Sequence, residues 1–187
     1  DLVRSRGLGD VYKRQLRDPD VEYFTDGSTF MLEGVRQAGY AVVTLDSVTE
    51  AQPLPTETST QKAELIDLTR ALLLAKDKKI NVYTDSKYAF AMLHVLGAIY
   101  KERGPLTARD KEIKHKEEIL QLLDAVWAPE KVAIMHCRSH QKAGKLETMG
   151  NRKADREAKW ATMTTLHFKK ETLDMPLLPD PSLPEVS

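Results

Sequence analysis

At 187 residues the chain has room for one α/β domain with short tails and can bury a sizeable core. Its 28 basic and 28 acidic side chains cancel, so nucleic-acid binding would need a local patch and not a whole-chain field. The single Cys137 excludes an internal disulfide and suits a reducing compartment, no apolar run approaches the ~18 residues of a membrane span, and no segment has the plan of a signal peptide.

Residues 1–15 show neither helical nor strand period and are expected to be a non-native or disordered leader. Residues 16–20 form a linker, and the domain proper is expected over 21–165. The first strand alternates Val21, Tyr23, Thr25 against Glu22, Phe24, Asp26. Gly27-Ser28 then suggests a sharp turn, which would put Asp26 at a carboxyl strand end. Phe30 to Val35 reads as a hairpin connection, Ala38 to Thr44 as the second strand and Val48 to Pro53 as a short third one. Pro53 and Pro55 suit a sheet edge.

Thr58 and Gln61 have the spacing of a capping box, opening a well-buried helix that runs to about Lys76. Glu64 falls in its first turn, where the dipole alone would favour a carboxylate. Lys79 to Thr84 is the fourth strand, and Tyr83-Thr84-Asp85-Ser86 nearly repeats Tyr23 to Ser28. If the two strands are parallel neighbours, Asp26 and Asp85 lie side by side. Ser86 starts a helix that Gly97 interrupts, and Ala98 to Arg103 adds a short one. Lys111 to Trp127 is a long helix with one apolar side. Lys101, Arg103, Lys111, Lys114, His115 and Lys116 lie along this stretch among nearly as many acids. They form either a solvated face of helical ion pairs or a basic handle for a nucleic-acid backbone.

Lys131 to His136 is the fifth strand, and Cys137 to Met149 a loop carrying His140. The last helix starts at Gly150-Asn151, with Ala154, Ala158 and Ala161 as a small-residue stripe. Taken singly, Asp155 beside that stripe is a surface acid paired with Arg152 or Lys159. Residues 166–187 are expected to be a disordered tail, since four of the nine prolines crowd into its 176–184 stretch.

The element order, together with the four acids, resembles the ribonuclease H domain of gammaretrovirus-like reverse transcriptases, endogenous copies included. The resemblance rests on Tyr23 to Ser28, Thr60 to Leu65, Tyr83 to Ser86, His136 to Lys142 and Gly150 to Asp155. It implies an α/β fold of the ribonuclease H type, a five-stranded mixed sheet in order 3-2-1-4-5 with helices on both faces. It also implies cleavage of the RNA strand in RNA/DNA hybrids, with Asp26, Glu64, Asp85 and Asp155 as ligands of two Mg²⁺ ions that Mn²⁺ can replace. Two such ions roughly 3.5–4 Å apart activate a water and stabilise the leaving oxygen in phosphodiester hydrolysis. Four converging carboxylates repel one another, so without cations at least one should hold a proton.

By the same resemblance His140 assists proton transfer or product release, and Ser28 and Gln61 touch the minor groove of the hybrid, where the 2′-OH marks RNA. The implied partners are the hybrid and a polymerase portion of a parent polyprotein, for a monomeric fragment in a cytoplasmic or virion-associated complex, with no membrane and no secretion. The chain departs from the family at Cys137-Arg138-Ser139 and at Glu157, Lys159 and Trp160. These departures leave room for an alternative: a catalytically impaired relic that binds hybrids.

Overall fold

The computed structural model describes residues 15–103, 113–137 and 145–174. Five strands, β1 (Val21–Leu32), β2 (Val35–Val43), β3 (Val48–Leu54), β4 (Lys79–Thr84) and β5 (Lys131–His136), form one sheet in the order β3-β2-β1-β4-β5. β1 pairs antiparallel with β2, and β2 with β3. β1–β4 and β4–β5 are parallel. The helices are α1 (Thr60–Leu74), α2 (Lys87–Arg103), α3 (Lys116–Ala125) and α4 (Leu146–Asp174). The mixed sheet and its strand order are those expected from the sequence.

The sheet is covered on both faces, so successive residues such as Tyr23 and Phe24 are both buried. On one face α1 lies against β1 and β2, with α3 behind it. Leu65, Leu68 and Leu72 of α1 meet Val42, Ile80, Val82, Ile134 and the α3 residues Ile119 and Leu122. On the other face Ala154 and Ala158 of α4 pack on Phe24, Ala41, Val43 and Tyr83. Phe24 and Tyr83 are register partners across the β1–β4 pair, and their rings stack with centroids 4.9 Å apart. The alanine stripe of α4 lets the helix approach this aromatic pair.

Several local expectations are corrected. Gly27 does not turn the chain: β1 continues through it to Leu32, and the turn is at Glu33-Gly34, both with positive φ. Gly27 is needed for close approach instead, since a Cβ there would lie 2.9 Å from the Ala63 carbonyl carbon of α1. The N-cap of α1 is Ser59, whose hydroxyl accepts from Lys62 N–H at 3.1 Å. Thr58 turns back to donate to the Pro55 carbonyl, and Glu64 is therefore in the second turn, beyond the reach of the first-turn dipole.

α2 passes through Gly97 unbroken, since one helical glycine costs only about 1 kcal/mol against alanine. α3 starts at Lys116 and not at Lys111, because His115 takes a left-handed φ of 60°. α4 starts at Leu146 and runs past 165 to Asp174, with no proline or glycine between Gly150 and Pro176. Residues 16–20 are docked rather than loose: Asn81 accepts from Leu16 N–H at 2.8 Å and donates to its carbonyl at 3.1 Å. Asp20 and Lys79 exchange a second pair of bonds. Among the described residues no helix is long and apolar enough to cross a membrane.

Candidate active site

The parallel pairing of β1 with β4 ends at Thr25↔Thr84. Asp26 and Asp85 are the next residue on each chain, so the pairing sets them side by side. Asp26 remains inside β1 while Asp85 leaves β4 into the turn before α2. Asp155 reaches them from α4, close enough for its charge to bear on Asp26. Glu64 comes from α1 on the other side. Its Oε2 accepts from the Ser86 hydroxyl at 2.7 Å, and Ser86 Oγ also accepts from Ala89 N–H, capping α2. All four acids thus gather at the edge where β4 leaves the sheet.

The electrostatics follow from that crowding. Burial, then the neighbouring Asp85, Asp67 and Asp155, push the Asp26 carboxyl up to about 10. Asp85 is also raised, mainly by burial, with the hydrogen bond from Asp26 opposing. Glu64 is raised by burial, partly offset by the Ser86 hydroxyl. The crowding thus favours a proton on Asp26, as four converging carboxyls require. Asp155 is held by Lys159 Nζ at 2.9 Å, one of the two pairings expected of it as a lone surface acid.

Of the other expected site residues, Gln61 lines the cleft with Glu64, Asp85, Ser86, Tyr88 and His136. Ser28 does not line that cleft. It is half-buried in β1, and its carbonyl accepts from Thr162 Oγ1 at 3.4 Å. Lys114 is exposed, while His115 is half-buried with its ring edge-on to Tyr88. Burial and the Lys114 charge lower the His115 pKa. Lys116 opens α3. Lys101 and Arg103 belong to the last turn of α2 by their backbone. His140 and Lys111 lie outside the described residues.

Two residues of the neighbourhood were given no site role by the sequence, although His136 opens one of the family motifs. Asp67 on α1 is fully buried, with the Thr25 hydroxyl and the Leu68 N–H beside it but no hydrogen bond of good geometry to either carboxyl oxygen. Burial, then Asp85 and Glu64, hold it well above the ordinary range. In the sequence it is one acid in an apolar helical run. His136 was the last residue of a predicted strand, and only the parallel neighbour β4 brings it to Asp85.

The donor set is all carboxylate oxygen, the hard ligand type that Mg²⁺ and Mn²⁺ accept, and a dication would relieve the repulsion that keeps a proton on Asp26. The residues fit such ions chemically. Among the described residues, no three acids, imidazoles or thiols are already spaced as a metal cage. Ser86 and Lys159 hold Glu64 and Asp155 meanwhile.

Residues 18–163 match the family described as RNase H. The chain is 52% identical over 178 residues to the Gag-Pol polyprotein of avian reticuloendotheliosis virus, covering 95% of this chain and 16% of that one. It is 49% identical over 175 residues to the Gag-Pol polyprotein of feline leukemia virus, covering 94% of this chain and 10% of that one. It thus spans a small part of the length of the curated relatives it matches. The solution structure of the PFV RNase H domain aligns with a TM-score of 0.64 at 23% identity, covering 78% of this chain and 95% of that one, a likeness of fold. The chain belongs to the RNase H family and is a ribonuclease H domain of the retroviral Gag-Pol type.

Proposed function

We propose that this domain hydrolyses the RNA strand of RNA/DNA hybrids, with Asp26, Glu64, Asp85 and Asp155 holding two divalent ions, Mg²⁺ or in its place Mn²⁺. The observation that carries this reading is the meeting of Asp26 and Asp85 on adjacent parallel strands, with Asp155 of α4 beside Asp26. In hydrolysis a water oxygen bonds to phosphorus as one P–O ester bond breaks, and bound dications supply charge to the attacking and leaving oxygens. The chain's own residues orient and select. Gln61 in the cleft, and Ser28, face the minor groove of the hybrid, where the 2′-OH distinguishes RNA. Lys101, Arg103, Lys111, Lys114, His115 and Lys116 hold the phosphate backbone, a contact that salt weakens. His140 moves a proton or helps the product leave. The domain works as a monomeric part of a polyprotein with a polymerase portion, in a cytoplasmic or virion-associated replication complex, where holding the hybrid at both sites raises its effective concentration.

A second reading, a hybrid-binding relic with impaired cleavage, draws on Asp67, a buried and unpartnered acid beneath the site. One experiment separates the two. End-labelled RNA/DNA hybrid is incubated with the chain in Mg²⁺ and then Mn²⁺, beside Asp85→Asn and an all-DNA duplex. Metal-dependent cuts confined to RNA and lost in Asp85→Asn are the expected result. Saturated binding without cutting in either metal would leave the relic.

A further inference from the structure

β5 holds the backbone on both sides of Asp85. The Cys137 N–H donates to the Thr84 carbonyl at 2.8 Å, directly beyond the last β4–β5 pair, Thr84↔His136. The His136 Nε2 lies 3.2 Å from the Asp85 carbonyl oxygen. A carbonyl only accepts, so Nε2 carries the proton. The first bond fixes the peptide plane before Asp85 and the second fixes the plane after it. Both soft torsions of Asp85 are then set, and with them the direction of its Cα–Cβ bond.

This second bond replaces what the sheet cannot supply. β4 ends at Thr84, so the Asp85 carbonyl has no ladder partner and a side chain takes its place. The imidazole is kept in reach by Phe90 of α2, whose ring is 5.8 Å away centroid to centroid. Half-buried, it lines the cleft that holds Glu64 and Asp85.

We propose that His136 is a positioning residue for Asp85: its Nε2–H bond to the Asp85 carbonyl aims the carboxylate, and so sets the affinity of the site for divalent ions. The inference rests on the reading of Asp85 as an ion ligand. It requires a defined effect. Loss of the donor loosens the direction of one ligand, so ion affinity falls, and the donor-bearing glutamine variant restores it. A role in packing alone would lower stability and leave ion affinity alone.

The test uses the whole chain and Mn²⁺ as the probe, with free Mn²⁺ read by electron paramagnetic resonance. His136→Phe keeps a ring beside Phe90 but has no donor. His136→Gln replaces the ring with an amide N–H that can reach the same carbonyl. If the aromatic variant fails to fold, His136→Leu provides the same loss of donor. The expected result is about 10–100-fold weaker Mn²⁺ binding for His136→Phe, the range seen when partners that orient metal ligands are removed. The Mg²⁺ needed for half-maximal cleavage rises in step, and His136→Gln recovers most of the loss. A folded His136→Phe that binds Mn²⁺ like wild type overturns the proposal, as does a His136→Gln no better than the phenylalanine variant. Asp85→Asn runs alongside. If it binds Mn²⁺ like wild type, the ligand reading of Asp85 has failed and takes this inference with it.

Discussion

Thr25 and Thr84 form the last rung joining β1 to β4, and each is followed by an aspartate. Beyond that rung β4 leaves the sheet while β1 continues. Asp26 is thus buried to 6% exposure in mid-strand, and Asp85 stands at an opening beside it. The asymmetry explains why burial weighs so heavily on Asp26, whose carboxyl is pushed up to about 10.

That arrangement predicts an unusual pH dependence for the metal-free domain. Asp26 ionises near 10 in the folded chain, whereas an unfolded aspartate ionises at about 3.9. Between those values the folded state binds a proton that the unfolded state lacks, so stability falls as pH rises. Glu64, Asp67 and Asp85 are also raised and act in the same sense. Glu50, lowered by Arg70, acts oppositely at acid pH. Melts in EDTA should lose several degrees between about pH 6 and 9, and Asp26→Asn should flatten the slope. Added Mg²⁺ should protect most at the alkaline end. A melting temperature that stays level across this range in EDTA would contradict the proton on Asp26.

Asp67→Ala should stabilise the protein. It removes a buried carboxyl that the Thr25 hydroxyl and the Leu68 N–H approach without a hydrogen bond of good geometry, and it puts a better helix former into α1. A gain of about 1–3 kcal/mol is expected, the usual cost of an unsatisfied buried polar group. Urea unfolding measures it, and a loss of stability instead would mean that Asp67 has a partner in solution. Cleavage by the same variant shows whether this acid impairs or supports the site.

Gly27→Ala should cost about 1–3 kcal/mol, the range for overpacking a close contact. The new Cβ meets the Ala63 carbonyl carbon at 2.9 Å, and backbone cannot swing aside as a side chain can. α1 must move off β1 and carry Glu64 with it. Thermal melts and the Mg²⁺ dependence of cleavage should worsen together. A variant with wild-type values in both would show that α1 has slack above β1.

Much of the architecture was legible in the residues. β4 and β5 were found with their bounds because buried parallel strands are short apolar runs between clear breaks. The small-residue stripe read in the last helix is the face by which α4 meets the sheet, through Ala154 and Ala158. Local rules misjudged residues for which a competing partner, near or far in the chain, took over the role that the spacing suggested. Asp26-Gly27 has turn chemistry, but the approach of α1 decides that position. Thr58 and Gln61 have capping spacing, but Thr58 is taken by Pro55 and Ser59 caps instead.

The sequence alone determined the order of elements and, through its resemblance to a known family, which four acids to watch. Singly, each of those acids had an ordinary structural explanation. Only the tertiary structure decided that Asp26 is in mid-strand and protonated, that Glu64 bonds Ser86, and that Asp67 and His136 belong to the same neighbourhood. The reason is physical. Strand and helix periods are set by contacts a few residues apart, whereas burial and charge coupling depend on groups about 20 to 130 residues distant in the chain that meet only once the sheet is assembled.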